Sequence, residues 1–98
     1  MLIKFTEVCN SGGVSTRQTY TLREVFVNPE HVVIVREESR MKQLNEQGLL
    51  PPELNENHRF SKLIINRGHT GSEIVVVGAP EIIETALNKN TTKQLLRG

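Results

Sequence analysis

The strongest constraint on this chain is a recurrence of short runs rich in β-branched residues, with glycine, proline and asparagine clustered between them. Leu2–Val8 places Ile3 and Phe5 on one face and Lys4 and Thr6 on the other, the period-two pattern of a strand. Gln18–Val27 repeats the strand composition, and its charged pair Arg23-Glu24 predicts a bend or bulge there. Asn28-Pro29-Glu30 stops that run, because proline fixes φ and cannot donate to a ladder. His31–Glu37 is apolar on both faces through Val32-Val33-Ile34-Val35, which predicts a central strand covered on each side. Arg59–Asn66 and Gly71–Gly78 complete the set. The glycine-bearing loop between them, Arg67-Gly68-His69-Thr70-Gly71-Ser72, predicts an antiparallel hairpin.

Two helices are expected besides these strands. Ser39–Gln47 has Met41 and Leu44 three apart, Ser39 as the cap and Gly48 as the stop. It lies in a polar insertion, 38–58, whose Pro51-Pro52 pair forbids continuation and whose stretch Pro51–Asn57 reads as an exposed loop. The second helix opens at Pro80-Glu81, with proline pre-set for the first helical position and the carboxylate complementing the positive helix end. Ile82, Ile83, Ala86 and Leu87 share one face that should lie against the sheet. Beyond it, 89–98 reads as a frayed tail or a further short helix. Asn10–Thr16, with Gly12-Gly13, is a loop. A chain of 98 residues has room for one core, so 1–98 is one α+β domain. Its architecture is a small antiparallel sheet or partly open barrel of about five strands, with one helix in the insertion and one at the C-terminus.

Charge and apolar patterning exclude several functions. Twelve basic residues against eleven acidic ones create no long-range field towards nucleic acid or anionic lipid. The N-terminal run is broken by charge before it could serve as a signal peptide or membrane span, and a single cysteine, Cys9, fits a reducing compartment. The expected location is the cytoplasm. Catalysis and metal binding find no support. His31, His58 and His69 stand at no ligand spacing, and no serine, threonine or cysteine carries a nucleophile signature. No cofactor is expected.

Two sets of residues are candidates for recognition. In Arg67, Gly68, His69, Thr70, Gly71 and Ser72, the glycines let backbone N–H groups approach a ligand while the arginine and hydroxyls suit phosphate oxygens. The segment joins two strands and lacks the Gly-Lys-Ser/Thr ending of a Walker loop. Arg36, Arg40, Lys42 and Arg59, in and around the insertion, are candidates for partner contact. The seven arginines outnumber the five lysines, and a planar guanidinium fork suits recognition.

Thr21–Val35, in which a short strand leads through Asn28-Pro29 into a hydrophobic strand, resembles the FlbD-like family of flagellar and swarming-motility proteins. Ile74-Val75-Val76-Val77 followed by Pro80-Glu81-Ile82-Ile83 resembles that family's closing strand and helix. The chain is also similar to small hypothetical proteins of tailed phages. Both resemblances imply a small β-rich fold without catalytic residues. The insertion 38–58 and the extended hairpin before Gln18 depart from the motility pattern.

The function expected from these features is non-catalytic binding. The chain would act stoichiometrically on a host or partner protein as an inhibitor or adaptor, as a homo-oligomer, in the host cytoplasm if phage-encoded. The alternative is an oligomeric sponge for a nucleotide or other phosphorylated small molecule. Nucleic-acid binding ranks below both because exposed aromatics for stacking are few, and a nuclease ranks last.

Overall fold

The computed structural model describes residues 1–10, 20–51, 54, 57–68 and 70–97, with backbone alone at 67, 70 and 90–97. The loop expected at Asn10–Thr16 and residues Pro52 and His69 therefore lie wholly or mainly outside the described residues. Five antiparallel strands form one open sheet: β1 (Ile3–Asn10), β2 (Tyr20–Val27), β3 (Val32–Glu37), β4 (Phe60–Arg67) and β5 (Thr70–Val77). Their order is β2-β1-β5-β4-β3, and α1 (Ser39–Glu46) and α2 (Pro80–Arg97) complete the fold. This is the α+β architecture that the residue pattern predicts.

Three expectations are corrected by the pairing. First, β2 runs unbroken through Arg23-Glu24, in continuous register with β1 from Tyr20↔Asn10 to Val27↔Ile3. The charges are accommodated by cross-strand partners, Lys4 Nζ to Glu24 Oε2 at 3.3 Å and Arg23 Nε to Glu7 Oε1 at 3.1 Å, so no bulge is needed. Second, β3 is an outer strand and β5 is the central one. The apolar run of β3 is explained by a bulge at Val33, where the register steps from Val32↔Ile65 to Ile34↔Ile64. The extra residue turns Val32 and Val35 both towards the core and leaves Val33 and Ile34 exposed. Third, 89–97 is not a separate short helix, because α2 continues as one helix to Arg97.

Only Asn28–His31 separates β2 from β3, although these are opposite edges of the sheet. The sheet must therefore curl until its edges approach. A 3-10 turn, Pro29–His31, makes the crossing, capped by the Asn28 side chain accepting from the Glu30 N–H. His31, expected in the strand, belongs to this turn.

Each sheet face has its own core. On the concave face Phe5, Val27, Leu63 and Val76 pack with Ile83 and Leu87 of α2. Ile82, placed by its spacing on the same helical face, is instead 65% exposed, since a seam of Ile83, Ala86 and Leu87 suffices to meet the curled sheet. On the other face Val8 and Phe60 are covered by Leu50, with Met41, Leu44 and Leu54 around them. The polar insertion is thus a lid over half of a sheet face. Leu54, expected in an exposed loop, packs there. The cap of α1 is Glu38, whose carboxylate accepts from the Arg40 N–H, in place of Ser39. Gly48 at φ +77° follows the helix end, as its sequence position predicts.

One polar node joins the sheet to α2. Gly78 donates its N–H to Arg59 O at 2.7 Å, and its carbonyl accepts from the fully buried Ser61 hydroxyl at 2.8 Å. Its φ of +134° is open to glycine alone, and it lets the chain leave β5 and enter α2 within two residues.

Candidate functional site

The Arg67–Ser72 segment is tighter than its sequence suggests. Strand pairing continues to Asn66↔Gly71 and Arg67↔Thr70, so only positions 68 and 69 connect the strands. Gly68 takes φ +82°, the left-handed conformation that a two-residue hairpin connection demands. Gly71 and Ser72 belong to β5, and a Cβ on Gly71 would lie 3.7 Å from Ile65 O. A phosphate cradle needs successive N–H groups turned to one point, whereas here the backbone follows the ladder. Arg67, Gly68, Thr70, Gly71 and Ser72 are brought together as a hairpin end; His69 lies outside the described residues.

The four residues assigned to partner contact divide in two. Arg59 is occupied internally. Its guanidinium forks onto Glu37, with Nε to Oε2 at 2.8 Å and Nη2 to Oε1 at 2.9 Å, and Nη1 reaches Glu81 Oε2 at 3.4 Å. One side chain thereby ties the ends of β3 and β4 to the first turn of α2. These hydrogen bonds hold the Glu37 carboxyl below the usual carboxylate range and push the Arg59 guanidinium up. Lys42 is engaged along α1 with Glu46 at 2.7 Å. Arg36 and Arg40 are exposed, and among the described residues neither side chain has an ion-pair partner.

On the open half of the convex face, Lys62 bridges Glu38 and Glu73, at 3.4 Å to each. Those two bonds push its ammonium pKa up, Glu38 contributing more. Cys9 is half-buried in β1, and burial, followed by the neighbouring Glu7 carboxylate, pushes its thiol up. Such a thiol stays protonated and weakly nucleophilic. Among the described residues no three His, Cys, Asp or Glu side chains gather into a metal-binding group, and no helix is long and apolar enough to cross a membrane.

The surface with the clearest physical signature was not among the sequence candidates. Along the outer side of β3, Val33 is 57% exposed and Ile34 39% exposed, and among the described residues no strand pairs beyond them. Between this edge and α2 runs a groove made of two adjoining hollows. One, of about 140 Å³, is bounded by Pro29, Val32–Val35, Glu84, Leu87 and Asn88. The other, of about 340 Å³, is bounded by Val35, Pro80, Glu81 and Glu84. The floor is aliphatic and the helix wall is acidic. The sequence signal was available in part, because Val33 and Ile34 are surplus to a one-sided strand pattern, but the groove needs two elements far apart in the chain. The chain matches no family model, no curated protein and no solved structure.

Proposed function

We propose that this chain is a non-catalytic binding protein that acts stoichiometrically on a partner protein, through the outer edge of β3 and the facing flank of α2. The observation that carries this reading is the exposure of Val33 and Ile34 on a strand that has no outer neighbour among the described residues. An unpaired edge offers a ladder of N–H and C=O groups to an added strand. The Val33 bulge restricts regular pairing to Ile34–Glu37. Glu81 and Glu84 along one wall favour basic residues in the occupant, and Val32, Val35 and Leu87 favour aliphatic ones. The fitting occupant is an extended partner segment that alternates aliphatic residues with Lys or Arg. Arg36 on β3 and Arg40 at the start of α1, both exposed, would supply polar contacts to such a partner.

Panning a random peptide library against the full chain tests this. Enriched peptides should show that alternation, should protect outward-pointing amides of Ile34–Glu37 from hydrogen exchange, and should lose binding to the Val33→Arg variant. Protection confined to β2 or α1, or a chain already dimeric through β3 by light scattering, would overturn the reading. The cytoplasm, a host's cytoplasm if the chain is phage-encoded, is the compartment in which such an inhibitor or adaptor would work. A nucleotide sponge ranks second, since Gly71 and Ser72 lie within the β4–β5 ladder, which favours the plain hairpin reading of Arg67–Ser72. Stabilisation by mono-, di- or cyclic nucleotides in a thermal-shift screen would reverse that order.

A further inference from the structure

The curl that brings β2 round to β3 leaves another hollow, lined from β2, the 3-10 turn, β4 and β5. It has a volume of about 360 Å³ and lies between Val25–Val27 of β2 and Ile65, Ser72 and Ile74 of β4 and β5, with Leu2, Asn28 and His31 at its margin. Its origin is geometric. The chain must cross from one sheet edge to the other in four residues, and the Val and Ile side chains that face the crossing are too short to fill the space behind it.

Two features distinguish this hollow from a packing defect. Defects in a core are closed and apolar throughout, whereas this one opens to solvent and carries polar groups at the opening. His31 and Ser72 come from different elements and both line it, and neither side chain has a hydrogen-bond partner among the described residues. Asn28 also lines the opening, but its side chain is engaged by the Glu30 N–H. Aliphatic walls with a few convergent polar groups are the usual composition of a small-molecule site.

We infer that this hollow binds a small aliphatic or monocyclic carboxylate, with its apolar body against Val25, Val27, Ile65 and Ile74 and its head at His31 and Ser72. At the roughly 30 Å³ that a water molecule occupies in the liquid, the space holds on the order of ten non-hydrogen atoms. That suits an eight-carbon acid better than a mononucleotide, whose phosphate charge would be set against aliphatic walls. The serine hydroxyl and an imidazole N–H both donate to a carboxylate. The site is independent of the partner surface on β3 and stands or falls separately.

The test is titration of the full-length, isotope-labelled chain with octanoate below its micelle concentration, followed by amide and side-chain NMR. Expected are saturable shifts confined to Val25, Val27, His31, Ile65, Ser72 and Ile74, an affinity at least fivefold weaker for His31→Leu, and a loss of binding for Ile74→Phe, which fills the hollow. Val25→Leu, a smaller filling change, should weaken binding without unfolding the chain, and Val33→Arg should bind like the parent. Octanol binding as tightly as octanoate would overturn the carboxylate assignment. Non-saturating or scattered shifts, or octanoate binding undiminished in both filling variants, would overturn the site itself.

Discussion

Replacing Gly78 by alanine should be among the most damaging single-atom additions this fold can receive. At φ +134° an L-residue is strained by about 1–3 kcal/mol. The new Cβ would also stand 2.9 Å from Ile83 Cδ1, and Ile83 is 1% exposed and walled by the concave core, so it has little room to retreat. Overpacking of this kind costs about 1–3 kcal/mol. The reduced backbone freedom of the unfolded chain returns about 0.4–1 kcal/mol, leaving a net loss of about 1–6 kcal/mol. For a domain of this size each kcal/mol is worth roughly 4–8 °C in Tm, so thermal melts and urea unfolding should both record a large drop. The two causes can be separated by adding Ile83→Val, which removes the colliding Cδ1. The double variant should recover part of the loss relative to the sum of the singles, because the steric part vanishes while the backbone strain remains. A Gly78→Ala protein within about 0.5 kcal/mol of the parent would refute the reasoning.

Leu50→Ala should cost about 2–5 kcal/mol in urea unfolding despite its place in a polar insertion, because Leu50 covers Phe60 and Val8. A loss under about 0.5 kcal/mol would mean that the insertion is not a lid. Glu37→Gln should flatten the acid limb of the stability profile. The Glu37 carboxyl sits below its ordinary value because Arg59 donates to it, so its contribution is present above the unfolded-state pKa, about 4.3, and is lost as pH falls through the lower folded value. Melts recorded from neutral pH down to strong acid would show this as a smaller decline for the variant, and parallel curves would contradict it.

The strands were legible in the sequence because local alternation and punctuation by glycine and proline are properties of a few neighbouring residues. Which strand lies at an edge is a non-local property. The Val32–Val35 run looked two-sided, and a bulge that moves one residue out of alternation produces the same composition on an outer strand. The polar character of 38–58 masked its function as a cover, since three well-placed leucines, Leu44, Leu50 and Leu54, outweigh many charged neighbours once they meet Phe60. In Arg67–Ser72 two glycines suit a ligand cradle and a hairpin equally in sequence, and only the pairing places Gly68 in the turn and Gly71 within the ladder. The β3 groove and the hollow beside the 3-10 turn each combine residues from elements far apart in the chain, so no window of sequence contains either.

The register of the sheet also bears on how the chain reaches its folded state. The β1–β2 ladder and the β4–β5 ladder each close over short stretches of chain, and β3 joins β4 across the insertion. The two parts meet where Glu7 faces Val76, residues separated by most of the sequence. Local hairpins form in microseconds, whereas closing that long loop costs chain entropy before any contact rewards it. This topology predicts that the slow step is the meeting of the two ribbons, and that substitutions such as Val76→Ala at the junction slow refolding as well as lower stability, which stopped-flow refolding would measure.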